Sequence, residues 1–138
     1  MAGNEREKTG GTGTGVDSRL ARPGGLSYLE IPAVDTEHAA AFYGQVLGWR
    51  LERRAANDLR FEDATGHLLG RWVTGRAPSR EPGLLAYFYV ERIDDAVGRV
   101  VAHGGEVVQA PCAEGNLWVA TVRDPAGNLL GLWQEGPR

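Results

Sequence analysis

The fold is decided by a short segment that occurs twice, as "EDATGHLLGRW" at residues 62–72 and as "RDPAGNLLGLW" at residues 123–133. Both copies contain an aspartate, a glycine, the run Leu-Leu-Gly and a tryptophan in the same order and spacing. Aspartate and glycine are typical of turns, and the apolar run that follows them is typical of a strand. The sequence therefore predicts the same turn and strand in two places.

The residues before each copy repeat the same plan. In the first half an alternating strand, "YLEIPA", is followed by a helix that Asp35 would cap and Gly48 would end, and then by three short strands. In the second half "LLAYFYV" predicts a strand, and "DDAVGRVVAHGG" predicts a helix capped by Asp94 or a neighbour. Three more strands follow, and the loop "PCAEGN" at 111–116 would hold the extra residues of this half. Repeats of this length are typical of paired supersecondary units.

A single folded domain follows from the length of 138 residues. The polar, glycine-rich residues 1–24 predict a flexible tail, because they cannot bury enough apolar surface to become ordered. The domain would then cover residues 25–138. It divides into module one (25–76), a proline-containing linker (77–83) and module two (84–138).

Composition excludes several classes of partner. The net charge of −3 gives no basic field for nucleic acid or an anionic membrane. The apolar runs are too short to span a bilayer, and the N-terminus lacks the apolar centre of a secretory signal. The single cysteine, Cys112, excludes an intrachain disulfide and is assigned no role. We therefore expect a cytoplasmic protein with no nucleic-acid or membrane partner.

The segment "VDTEHAAAFYGQVLGW" at 34–49, together with the final "RDPAGNLLGLW", resembles the vicinal oxygen chelate superfamily of glyoxalases, bleomycin-resistance proteins and extradiol dioxygenases. The resemblance covers about residues 25–135. It implies an α+β fold in which two tandem βαβββ modules form a U-shaped mixed sheet, with the helices outside and a small organic ligand in the trough. It also implies a homodimer.

In metal-using members of that superfamily, four strand positions hold the ion. The resemblance matches them to Tyr28, Gly70, Leu85 and Gly131. Glycine has no side chain and leucine has no donor atom, whereas divalent ions need several oxygen, nitrogen or sulfur ligands. The sequence therefore predicts no metal and no cofactor.

Strand alternation extends these four positions to a predicted trough lining, since residues two apart share a face. The predicted lining is Tyr28, Glu30, Leu68, Gly70, Trp72, Leu85, Tyr87, Tyr89, Leu129, Gly131 and Trp133. The opposite, helix-facing set is Leu29, Ile31, Leu69, Ala86, Phe88, Val90, Leu130 and Leu132.

The lining residues also have structural interpretations. Trp72 and Trp133 could contact a ligand or fill a core or interface. Gly70 and Gly131 could leave volume for a ligand or permit close approach of two strands. Tyr87 and Tyr89 would be ordinary in a strand, where tyrosine is favoured. An acid on an aromatic face, such as Glu30, needs a partner, which would be Arg60, Arg71 or a ligand.

Two functions follow. The first is a metal-independent binding protein that holds an aromatic or apolar metabolite or antibiotic in the trough. The alternative is a metal-independent isomerase, cyclase or lyase in which Glu30 is the general acid or base, helped by Tyr28 or Tyr87. That role would need a raised pKa for Glu30, which an apolar trough could supply by desolvation. A metal-dependent glyoxalase or dioxygenase is not favoured, because the ligands are missing.

Overall fold

A computed structural model describes residues 18–56 and 58–138, so the predicted tail over 1–24 lies mostly outside the described residues. The order of elements is strand, helix and three strands, twice. The elements are β1 (Tyr28–Pro32), α1 (Thr36–Leu47), β2 (Arg50–Ala55), β3 (Asp58–Glu62), β4 (Leu69–Val73), β5 (Tyr87–Tyr89), α2 (Ile93–Ala102), β6 (Glu106–Glu114), β7 (Leu117–Arg123) and β8 (Leu129–Glu135).

Each module forms one four-stranded mixed sheet, with strand order β1-β4-β3-β2 in module one and β5-β8-β7-β6 in module two. The first strand of each module pairs in parallel with its last strand, and the other pairs are antiparallel. The predicted α+β fold with tandem βαβββ modules is confirmed. The curved sheet that the resemblance implies consists here of two separate sheets, one in each module.

The first helix begins and ends where the sequence predicts. The carboxylate of Asp35 accepts hydrogen bonds from the backbone N–H groups of Glu37 (3.0 Å) and His38 (3.3 Å). Gly48 ends the helix with φ of 73°, in the left-handed region that glycine adopts without steric cost. Helix α1 is therefore fixed at both ends by local sequence.

The second half departs from the sequence prediction in two places. Helix α2 has Arg92 at its N-cap, without a side-chain cap of its own. Instead, the side-chain oxygen of Gln134 on β8 accepts the backbone N–H of Ile93 at 2.8 Å. The predicted loop at 111–116 is also wrong for most of its length, because β6 continues to Glu114 and Cys112 lies within it. The extra residues of this half therefore lengthen a hairpin.

Both modules share one hydrophobic core. Trp49 of module one stacks on Tyr43 (4.7 Å between ring centroids) and on Phe61 (4.4 Å), and its ring lies edge-on to Phe88 of module two (5.7 Å). Buried residues from α1, α2 and both sheets belong to this single cluster. Each sheet therefore turns one face toward the helices and the shared core, which leaves its other face on the outside of the chain.

A buried polar network joins the modules. The Tyr43 hydroxyl donates to the carboxylate of Asp124 at 2.7 Å. The Asn128 amide also donates to that carboxylate (2.8 Å) and to the backbone carbonyl of Pro32 (2.8 Å), while the backbone N–H of Ser79 donates to Asn128 (2.7 Å). Burial, and then the negative charge of Asp124, raise the pKa of Tyr43 well above its usual value. The network connects β1, α1 and the linker to the turn before β8.

Within the described part of the chain, no helix is both long enough and apolar enough to cross a membrane.

Candidate functional site

The two copies of the repeated turn differ in length. In module one the backbone N–H of Asp63 donates to the carbonyl of Leu68 at 2.8 Å, so five positions separate the two ends of the turn. In module two the N–H of Asp124 donates to the carbonyl of Asn128 at 3.0 Å, so only four separate them. Because side chains alternate along a strand, this one-residue difference places equivalent residues of the two motif copies on opposite faces of their sheets.

The predicted common face is therefore wrong for Leu68, Gly70 and Trp72. Gly70 lies opposite Leu29 and Phe61, on the side that faces the helices. Trp72 is 3% exposed and its ring lies 5.0 Å from that of Phe61. Leu68 is buried as well. Of the two interpretations of Trp72, the structure supports core packing.

The two glycines of the motif have different surroundings. A Cβ atom on Gly70 would lie 2.0 Å from the backbone oxygen of Leu29 and 2.3 Å from the Phe61 ring. A Cβ atom on Gly131 would instead meet the ring of Tyr87 at 2.3 Å, a side chain that is 51% exposed. Gly70 thus permits close packing inside module one, and Gly131 allows an aromatic ring to lie over the strand of module two.

The outer face of the first sheet is charged. We call it the open face of module one, and it comprises Tyr28, Glu30, Glu52, Arg60, Glu62, Leu69 and Arg71. Tyr28 and Glu30 lie where the sequence predicts. Leu69 was predicted on the helix-facing side, and the longer turn moves it to this face. By strand pairing, Arg71 stands at the position that Gly131 has in module two, and the predicted lining missed it.

Ion pairs organise this face. Glu30 accepts hydrogen bonds from Arg71 (3.2 Å) and from Arg76 (2.8 Å), so the predicted pairing of Glu30 with Arg71 is present. These two guanidinium groups, Arg76 first, hold the pKa of the Glu30 carboxyl below its usual value. Arg60 donates two hydrogen bonds to the carboxylate of Asp58 (2.9 and 3.2 Å), which lowers the pKa of Asp58.

The outer face of the second sheet is aromatic. We call it the open face of module two, and it comprises Tyr87, Tyr89, Leu129, Gly131 and Trp133. These five residues share one face, as the sequence predicts. Tyr89 is 51% exposed and its ring lies 4.8 Å from that of Trp133, in an edge-on arrangement.

Leu85 and the opposite, helix-facing set complete the account of the prediction. Leu85 precedes β5 and is half-buried, so it belongs to neither strand face. Within the opposite set, Ile31, Val90 and Leu132 lie in the core as predicted.

Two hollows adjoin these faces. A cavity of about 600 Å³ lies at the end of β4 and is lined by Thr36, Arg71, Trp72, Val73, Thr74, Gly75 and Arg76. The indole N–H of Trp72 is buried and has no hydrogen-bond partner within the described residues. A smaller, mainly apolar cleft of about 180 Å³ lies between the edges of β1 and β5, with Phe88 and Leu130 among its lining.

An α+β chain of two βαβββ modules, each with one uncovered sheet face, has the architecture of the vicinal oxygen chelate fold. The sequence profile of the Glyoxalase/Bleomycin resistance protein/Dioxygenase superfamily matches residues 25–132. The chain belongs to this superfamily.

Solved structures show the same fold at low sequence identity. A glyoxalase family protein from Bacillus cereus is 22% identical, with a TM-score of 0.68 over 81% of this chain and 94% of that one. The fosfomycin resistance protein FosX from Mesorhizobium loti is 17% identical, with a TM-score of 0.65 over 80% and 92%. TioX from Micromonospora sp. ML1 is 21% identical, with a TM-score of 0.61 over 81% and 99%. A search of curated protein sequences found no match.

The residues at the metal positions of this superfamily do not fit a metal. The corrected register puts the cation Arg71 and the side-chain-free Gly131 at the two last-strand positions. Tyr28 and Leu85 stand at the two first-strand positions, so one neutral phenol is the whole donor set. Elsewhere in residues 18–56 and 58–138, no group of three or more histidine, cysteine, aspartate or glutamate side chains could hold an ion.

Proposed function

We propose that this chain is a metal-independent small-molecule-binding protein of the glyoxalase/bleomycin-resistance type, which holds an aromatic or apolar metabolite or antibiotic. The observation that supports the proposal is the open face of module two. Tyr87 and Tyr89 are each 51% exposed, and the Tyr89 ring lies edge-on to that of Trp133, so this face presents aromatic rings to solvent. Such surfaces are typical of binding sites, because aromatic rings bury large areas against a flat ligand.

Gly131 contributes to this surface because it has no side chain. Any side chain there would displace the ring of Tyr87, which lies directly over the strand. The glycine therefore lets an aromatic ring lie on this face, whereas in a metal-using relative the same position would hold a ligand to the ion. Together with the poor donor set described above, this supports metal-independent binding.

The binding trough would be shared by two copies of the chain. Within one chain the helix-facing sides of both sheets join a single core, so the two open faces lie on the outside. A trough bounded on two sides then needs the open face of module one from one copy of the chain and the open face of module two from another copy. Light scattering with size-exclusion chromatography should give the mass of a dimer, and a monomer at concentrations where ligand binds would contradict this arrangement.

The alternative, an enzyme with Glu30 as general acid or base, receives no support from the geometry. Proton transfer near neutral pH would need a raised pKa, and the ion pairs with Arg76 and Arg71 shift the pKa of Glu30 downward. The carboxylate is also engaged by both guanidinium groups. These contacts suit a residue that fixes the positions of the two arginines.

Tryptophan fluorescence tests the binding proposal. Titration with a panel of aromatic metabolites and antibiotics, bleomycin included, should change the emission through Trp133. The change should disappear in Trp133→Phe. It should persist in Trp118→Phe, since Trp118 pairs with Gln134 on the opposite face of the same sheet. A ligand that binds and gives the same response in Trp133→Phe as in the natural protein would remove this face from the site.

A further inference from the structure

The open face of module one has more arginine than its nearest carboxylates neutralise. Arg60 and Arg71 are direct partners on adjacent strands, and Arg76 lies close enough to share Glu30 with Arg71. Against these three cations stand two carboxylates, Glu30 and Asp58. The group therefore has an excess of one positive charge.

Neighbouring acids do not remove this excess. Glu62 is held by Arg19 and Arg50, at 2.8 and 2.9 Å. Glu52 stands opposite Arg60 on the neighbouring strand, but its ion pair is with Arg54 at 3.5 Å, so it adds one acid and one arginine to the group. Each of these carboxylates already has at least one arginine of its own.

The pairing of Arg60 with Arg71 is unfavourable unless something compensates for it. Like charges directly opposite each other on adjacent strands repel. Each guanidinium has five N–H donors, and the ion pairs to Glu30 and Asp58 use only some of them. The side chains of Arg60, Arg71 and Arg76 are 30%, 42% and 54% exposed, so a ligand can reach the remaining donors.

The same row of the second sheet shows that this adjacent pair of arginines is not a property of the fold. Across module one the row is Glu30, Arg71, Arg60 and Glu52. Across module two, the corresponding positions hold the neutral set Tyr87, Gly131, Thr121 and Gln109. One wall is cationic at its centre, and the matching wall is aromatic.

We propose that Arg60 and Arg71, assisted by Arg76, bind the oxyanion of the ligand, a carboxylate or a phosphate, while its aromatic part lies on Tyr87, Tyr89 and Trp133 of a second copy of the chain. Glu30 and Asp58 act as positioning residues, because they hold the guanidinium planes from one side and leave the other donors for the ligand. The cavity of about 600 Å³ at the end of β4 leaves space beside Arg71 and Arg76. This inference rests on the proposed binding function and names the class of its ligand: aromatic acids.

Isothermal titration calorimetry with four matched probes tests the inference. The probes are phenylacetate, phenyl phosphate, 2-phenylethanol and 2-phenylethylamine, which share a benzene ring and differ in charge. At least one of the two anions should bind about tenfold more tightly than the alcohol, as charge-assisted hydrogen bonds require. Comparison of phenylacetate with phenyl phosphate distinguishes a carboxylate site from a phosphate site.

Three variants test which residues cause the preference for anions over the alcohol. Arg71→Gln and Arg60→Gln should each reduce the anion-over-alcohol ratio severalfold and leave affinity for the alcohol unchanged. Arg53→Gln is the matched control: Arg53 also pairs with a carboxylate, Glu37 on α1, but it lies on the helix-facing side. Its preference for anions should equal that of the natural protein, and circular dichroism should show all three variants folded.

Each outcome decides between the two proposals. Equal affinity for the anions and the alcohol, or a preference that survives both arginine variants, would overturn the oxyanion site and leave small-molecule binding intact. Tighter binding of the amine would do the same. Failure of all four probes to bind would count against both proposals, because the aromatic surface would then hold no ring at all.

Discussion

The two motif glycines should respond very differently to the same substitution. In Gly70→Ala the new methyl group would overlap the backbone oxygen of Leu29, which is part of the β1–β4 ladder, and the buried Phe61 ring. Neither can move without disturbing the sheet or the core. In Gly131→Ala the methyl group would meet Tyr87, which can rotate toward solvent.

The expected losses of stability depend on which neighbouring groups must move to admit the methyl group. Overpacking a rigid core costs 1–3 kcal/mol and sometimes more, so we expect Gly70→Ala to lose about 3 kcal/mol. For Gly131→Ala, alanine gains about 0.5–1 kcal/mol over glycine within a strand, which offsets part of the cost of moving Tyr87. The net change should be within about 1 kcal/mol of zero. For a chain of this size, 3 kcal/mol corresponds to a fall in Tm of roughly 10 °C.

Urea and thermal unfolding followed by circular dichroism measure both variants under the same conditions. A large loss for Gly70→Ala with little change for Gly131→Ala is the expected pattern. Equal losses in the two variants would refute the one-residue difference in turn length, since equal register would give the two glycines equivalent surroundings. The reverse order would refute it as well.

Three further predictions concern the buried polar groups. Because burial raises the pKa of Tyr43, the stability that its neutral hydroxyl contributes is complete below about pH 10 and falls as the pH rises further. Between about pH 9 and pH 11, Tyr43→Phe should therefore lose less stability than the natural protein. An equal change of the urea midpoint with pH in both proteins would argue against this. Asn128→Ala removes one donor to the buried Asp124 carboxylate and the partners of the Ser79 N–H and the Pro32 carbonyl. It should cost about 2 kcal/mol by urea unfolding, and a neutral result would mean that the network is not needed. Gln134→Ala removes the acceptor of the Ile93 N–H and should cost about 1 kcal/mol, which hydrogen exchange at the start of α2 would detect as faster exchange there; unchanged exchange would contradict it.

The fold was predictable because its signals are local. The cap at Asp35, the stop at Gly48 and the alternation of apolar residues in β1 each follow from neighbouring letters, and the duplication supplied the second module. The start of α2 was not predictable in this way, since its cap comes from Gln134, far along the chain. Long-range hydrogen bonds of this kind have no signature in a short window of sequence.

The grouping of side chains on one sheet face was predicted correctly for β5 and β8 of module two, Leu85 apart, and only in part for module one. The equal spacing of residues in the two copies suggested equal turns. The sequence alone does not show which backbone carbonyl closes each turn. One signal for the correct register of β4 was available. If Gly70 were on the open face, the Arg71 side chain would point into the core, and burying an unpaired arginine is costly. Weighing Arg71 against Trp72 would have favoured the observed register, with the indole inside and the guanidinium outside.

The longer turn of module one has a consequence for what an internal repeat can present to its surroundings. The two copies of the motif have the same spacing in the sequence, so they differ in which backbone carbonyl closes the turn. A shift of one residue in a turn exchanges every inward and outward side chain of the strand that follows. In this chain the exchange puts Arg71 on the open face of module one, at the position that Gly131 has in module two. Two segments that are nearly alike in sequence therefore present chemically different surfaces.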